Sequence, residues 1–186
     1  MILPLSMGSD KSHHHSRLEK LLFADPLRME ILELVEQVLP GEGWVGGGFV
    51  RNLVWDNLGD RNFHLNDIDV IFLGGEHTEA SVEDELRIRA PQHKWSVKDQ
   101  MLMASRHGHT PYRSIEEALS YWVEKCTAVA VRLNNGHILI EAPYGLNELF
   151  AGVISPSSDK LLPLMRDRIE NKRWLLHYPF LVVHSE

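Results

Sequence analysis

The run "CTAVAVRLNNGHILIEA", residues 126 to 142, most constrains the fold of this chain. Asn135-Gly136 is the favoured pair for a two-residue type I′ turn, whose central positions both need positive φ. Such a turn sets the strand register. Leu133 then faces Ile138, and Ala130 faces Glu141. Glu141 shares a face with Ala128, Ala130 and Arg132. Small alanines beside an acid leave room for a substrate or an ion. Alternatively, Glu141 and Arg132 form a plain diagonal pair on a solvated face, worth little energetically.

Helical signals surround this hairpin. Asp25 is a good N-cap and Pro26 a good first residue for a helix whose apolar stripe is Leu27, Ile31, Leu34, Val35 and Val38. "GWVGGG" predicts a short strand running into glycines, and "FVRNLVWDNLG" the helix after it. Period-2 reading makes residues 67 to 73 a strand. "SVEDELRIRA" predicts a helix with a capping box from Ser81 to Asp84. "WSVKDQMLMASRHG" predicts another, capped by Ser96 and ended by Gly108. "SIEEALSYWVEK" repeats the box at Ser114 and Glu117. "YGLNELFAG" predicts a short helix, and "PLMRDRIENKRWLL" a last one led by Pro163. The mixture predicts an α/β (α+β) fold with a small mixed sheet flanked by helices. Residues 17–186 form a single domain, and residues 1–16 a disordered tail in which His13, His14 and His15 have no metal role.

Composition excludes several classes. A single cysteine, Cys126, rules out an intrachain disulfide framework and a cysteine zinc cluster, and fits a reducing cytoplasm. Cys126 and the tryptophans Trp55, Trp122 and Trp174 read most simply as core. No apolar run approaches the roughly 18 residues that span a bilayer. No basic region precedes the short apolar stretch at the start, so a signal peptide is not expected. The net charge of -7 argues against a dominant electrostatic grip on nucleic acid.

Chemistry concentrates in a few places. Gly46, Gly47 and Gly48 let backbone approach a phosphate at the N-terminus of the next helix. Arg51 lies in that helix's first turn, where a cation opposes the macrodipole unless it meets an anion. The pattern is not a Walker loop, since no G-K-[ST] follows. In "HLNDIDVIFL", Asp67 and Asp69 point to the same side of a strand. Two repelling carboxylates there suit Mg²⁺, which takes oxygen ligands and substrate phosphates. Lys98, expected at a helix N-terminus, either neutralises phosphate or snorkels over Trp95.

Together "GGFVRN" and "NDIDVIF" resemble the DNA polymerase β-like nucleotidyltransferase superfamily. The wording is also similar to the "GG-x-VRD … DxD" start of CCA-adding enzymes and poly(A) polymerases, with Asn52 in place of the acid. "WSVKDQ", "PYRSIEEAL", "TAVAVRL" and "APYGLNELF" extend the resemblance to a family of small bacterial nucleotidyltransferase-like proteins. The resemblance implies a nucleotidyltransferase fold with Asp67 and Asp69 as metal ligands. It also implies a third carboxylate on a later strand, for which Glu141 is the candidate. Eighteen residues, 49 to 66, separate Gly48 from Asp67, more than in the compact superfamily pattern.

These features converge on a Mg²⁺-dependent nucleotidyltransferase that uses an NTP and an acceptor hydroxyl on a small molecule, protein or RNA. In this expectation Asp67, Asp69 and Glu141 hold metal and carry catalysis. Gly47, Gly48, Arg51 and Lys98 hold the nucleotide. The alternative is a non-catalytic nucleotide-sensing or partner-binding domain that keeps the fold. A third possibility is a toxin-like or antibiotic-modifying enzyme of the same fold.

Overall fold

The hairpin forms with the expected register. In the computed structural model, which describes residues 7–63 and 65–184 (backbone alone for 7–12), Leu133 pairs with Ile138 and Ala130 with Glu141. Asn135 and Gly136 have φ of 50° and 78°, as a type I′ turn requires. The first elements are α1 (Met7–Phe23), α2 (Pro26–Val38), β1 (Trp44–Gly46), α3 (Gly48–Gly59), β2 (Asp67–Phe72) and α4 (Glu79–Arg89). Next come β3 (Lys94–Asp99), α5 (Gln100–Arg106), α6 (Ile115–Ser120), and the hairpin strands β4 (Ala130–Asn134) and β5 (His137–Glu141). The chain closes with α7 (Asn147–Ala151), β6 (Val153–Ile154), α8 (Leu162–Asn171), α9 (Trp174–His177) and β7 (Val182–Val183).

Among the described residues, one five-stranded sheet runs β3-β2-β1-β4-β5. β2 and β3 are parallel and the other neighbours antiparallel. The result is the mixed sheet expected. β6 and β7 add a two-stranded parallel sheet that the sequence reading did not include.

Alternation divides the sheet into two faces. Ile68, Val70 and Phe72 of β2, with Trp95 and Val97 of β3, enter the main core against α1, α2, α3 and α4. Each such fully buried apolar side chain contributes about 1.5–3 kcal/mol. On the opposite face Ile71, Trp44, Ala128 and Ala130 pack beneath Ile115 and Leu119. The acids Asp67 and Asp69 share Ile71's face, beyond the edge of that smaller cluster.

The segment 94–99 corrects the helix expected from "WSVKDQ". It forms strand β3, in full parallel register with β2. Trp95, Val97 and Asp99 point inward while Lys94, Ser96 and Lys98 point to the acid face. Ser96 is therefore no cap. Asp99 caps α5, accepting from the Met101 N–H. As an edge strand β3 would leave backbone donors open. α4 covers them: Glu83 accepts from the Val97 N–H and Glu79 from the Asp99 N–H.

Smaller departures follow from local hydrogen bonding. α4 starts earlier than expected, with a capping box between Thr78 and Ser81. α6 keeps its Ser114 cap but ends at Ser120. The last predicted helix breaks at Arg173, which has φ of 51°, into α8 and α9. α1 covers residues 7–16 of the expected tail, and His14 stacks on Phe150 at 4.7 Å. Residues 1–6 and His64 lie outside the described residues.

Candidate active site

β1 ends in glycines because space and backbone demand it. A Cβ on Gly46 would sit 3.0 Å from the Trp122 ring and 3.1 Å from the Val129 carbonyl oxygen. Gly47 has φ of 62°, which L side chains rarely adopt, and a Cβ there would lie 3.5 Å from Asp69 Oδ2. The turn thus delivers the start of α3 directly beside the Asp69 carboxylate. Gly48 opens that helix, whose first N–H groups have no partner within it.

Asp67 and Asp69 stand side by side on the sheet face, as expected. Asp67 is exposed and pairs with Lys94 at 2.7 Å, a contact cheap to break between side chains this open to water. Asp69 is partly buried. Burial pushes its carboxyl above the usual range and the Asp67 charge adds to this, against a hydrogen bond from Ser96 and the charges of Lys172 and Arg51.

Arg51 is buried, 4% exposed, and does more than the sequence suggested. Its Nη1 donates to Thr127 Oγ1 at 3.1 Å, and its Nε and Nη2 donate to Asn52 Oδ1 at 3.1 and 2.8 Å. It lies over the rings of Trp55 and Trp174, 5.0 and 4.3 Å from their centroids. Burial lowers its pKa. Asn52 accepts from Arg51 without bringing a negative charge, and the buried Glu124 acts on Arg51 from further off.

Two further cations come from α8 and its C-cap. Arg168 Nε donates to fully buried Glu124 at 2.6 Å. Lys172 has its pKa lowered by burial and by Arg168 and Arg51, opposed by Asp69 and Asp67. Sequence reading missed both residues. Their i, i+4 spacing in "RDRIENK" was the available signal, since like charges on one helix face repel.

These groups meet in one cavity of about 420 Å³, a volume within the usual range for ligand sites. Gly47, Gly48, Arg51, Asp67, Asp69 and Lys98 all line it. Lys98 does so from strand β3, not from a helix end. Trp122, read from sequence as core, lines it as well, while Trp55 and Trp174 are core.

Glu141 does not line the cavity. It lies on the right face but at the far edge of the sheet, on β5. Burial and Glu116 raise its pKa, with Arg132 opposing. Among the described residues no three His, Cys, Asp or Glu side chains gather as a metal cluster. The acid pair alone fits Mg²⁺, which commonly takes one or two carboxylates and completes its shell with phosphates and water.

Residues 34–183 match the profile of a nucleotidyltransferase family. The chain belongs to that family. Among solved structures, this nucleotidyltransferase is similar to one whose NMR analysis reveals a CCA-adding enzyme head domain. That match has 27% identity and a TM-score of 0.79, over 92% of this chain and 96% of the other. A CCA-adding enzyme in complex with CTP matches at 18% identity and a TM-score of 0.64, over 90% of this chain and 43% of that one. The Thermotoga maritima CCA-adding enzyme complexed with tRNA matches at 18% identity and a TM-score of 0.62, over 90% and 42%. The last two share the fold, and the nucleotidyltransferase spans less than half of their length. A comparison with curated proteins finds no match. Among the described residues no helix is long and apolar enough to cross a membrane.

Proposed function

We propose that this nucleotidyltransferase moves a nucleoside monophosphate from an NTP to an acceptor hydroxyl in a Mg²⁺-dependent reaction. One observation carries the reading: Asp67 and Asp69 face a cavity whose neighbouring wall holds the glycine turn, Arg51 and Lys172. Asp67 and Asp69 would hold the ion. Mg²⁺ supplies charge neutralisation at the phosphates and a lower pKa for a bound hydroxyl. The start of α3, from Gly48 on, receives phosphate oxygens through backbone N–H groups, while the Gly47 N–H donates to the Val129 carbonyl at 3.0 Å and fixes the turn. Arg51 and Lys172 offset the charge of the departing pyrophosphate. Arg168 is engaged by Glu124 and holds that wall in place. Glu141 has no part in this scheme.

The solved relatives seen with CTP and with tRNA support an NTP as donor and leave RNA among the acceptors to test. The test is calorimetry of Mg²⁺ with ATP or CTP, paired with transfer of labelled nucleotide to small-molecule, protein and RNA acceptor pools. Metal-dependent NTP binding and label transfer, both lost in Asp69→Asn, are expected. NTP binding that ignores both Mg²⁺ and Asp69→Asn, with no label transferred, would instead assign a sensing domain.

A further inference from the structure

The cavity has a second end, of different chemistry. Ile71 of β2 and Lys98 of β3 share a register row two residues along from Asp69 and Ser96. Beyond them the wall is aromatic: Tyr112 and Tyr121 line the cavity, with Trp122 beside them. Tyr112 is 5% exposed and Tyr121 47% exposed. The two rings stack with centroids 5.1 Å apart and planes at 24°.

This wall is braced from outside. His109 does not line the cavity, yet its ring centroid lies 4.4 Å from that of Tyr121 and its Nδ1 2.7 Å from the Tyr112 hydroxyl oxygen. His109 and Tyr112 have centroids 5.9 Å apart. Rings on opposite faces of Tyr121 would be separated by nearly the sum of their distances to it. They therefore do not sandwich Tyr121, which stays 47% exposed and lines the cavity, open to stacking by a planar ligand. The Tyr144 hydroxyl donates to the Ser120 carbonyl at 2.5 Å, pinning the turn that presents Tyr121. The "PYRSIEEAL" and "APYGLNELF" segments, which supply Tyr112 and Tyr144, thereby gain a use.

We propose that Tyr121, backed by Tyr112 and His109, is the platform on which the nucleobase of the incoming NTP stacks, an inference that rests on the nucleotidyl-transfer reading above. An NTP carries phosphate at one end and a flat aromatic base at the other. This cavity is cationic and glycine-lined at one end and aromatic at the other, with the acid pair between them. Stacking accepts every base, since each has a π face. The wall therefore gives grip without strict base choice.

The experiment measures dissociation constants, with Mg²⁺ present, for ATP, CTP and inorganic tripolyphosphate. Wild type, Tyr121→Ala and Tyr121→Phe are compared. Tyr121→Ala should weaken ATP and CTP by about 5- to 100-fold, leave tripolyphosphate unchanged, and be rescued by Tyr121→Phe. An unchanged ATP constant in Tyr121→Ala overturns the inference, including the case where only the acceptor's KM rises. Equal weakening of tripolyphosphate overturns it too. Wild type that binds ATP no tighter than tripolyphosphate overturns the stacking role while leaving the transfer reading intact. Wild type that binds neither overturns both.

Discussion

Asp69 and Glu141 stand in one row across the sheet and on one face, with Gly46 and Ala130 between them. Three strand spacings put their backbones about 14 Å apart. The Trp122 ring sits over Gly46, in the space between. One Mg²⁺ ion, with ligands at about 2.1 Å, does not bridge such a pair. Glu141→Ala should therefore keep transfer activity within about twofold, as a substitution away from the site does. Asp69→Asn should lose about 100-fold or more, since several kcal/mol of metal-assisted stabilisation go with it. Steady-state rates of the two variants decide this, and comparable losses would return Glu141 to the centre of the reaction.

Lys172 is tested by exchange for an uncharged side chain of similar length. Lys172→Met keeps the stem and deletes the charge. The KM for NTP should rise about tenfold or more, the scale of one charge-assisted contact, with kcat less affected. The melting temperature should not fall, because the native Lys172 charge is disfavoured by burial and by Arg168 and Arg51. A KM equal to wild type would remove Lys172 from the phosphate end.

Cys126 is 2% exposed, and burial pushes its thiol up to about 12. The thiolate is the reactive species, so the native protein should resist a thiol-specific reagent near neutral pH. Full labelling is expected only in denaturant. Rapid labelling of folded protein, followed by mass spectrometry, would contradict this burial.

Asp56 accepts hydrogen bonds from the Tyr178 hydroxyl at 2.9 Å and the Phe63 N–H at 3.3 Å. Burial nevertheless raises its carboxyl, the larger effect, against those bonds and the Arg28 charge. The folded state therefore holds this proton more tightly than the unfolded chain. Its contribution to stability is complete below the ordinary carboxylate value and is lost as pH rises through the raised one. Urea unfolding should show the stability difference between wild type and Asp56→Asn moving in favour of Asn as pH rises across that window. A difference that stays flat with pH would refute the shift.

What was legible in the sequence was what local chemistry decides. Asn135-Gly136 determines its own turn, and the turn carries the register with it. Asp25 and Pro26 announce α2 in the same way. Segment 94–99 misled because Ser96 looks like a cap, whereas pairing with β2, not local preference, makes it a strand. Register placed Glu141 on the correct face, but strand order decides distance, and no local signal encodes that order. Arg168 and Lys172 were missed because they join the cavity that Asp69 lines from about a hundred residues away in sequence.

That separation in sequence has a consequence for synthesis. The glycine turn, the acid pair and the hairpin all lie ahead of α8 in the chain, so the sheet can assemble before α8 emerges from the ribosome. Until then Glu124 lacks Arg168, Arg51 lacks the Trp174 ring, and Lys172 is missing from the cavity wall. A nascent polypeptide at that stage has Arg51, Lys94 and Lys98 near its carboxylates but lacks Arg168 and Lys172. On the reading proposed above, nucleotidyl transfer therefore waits until α8 and Trp174 dock against the sheet.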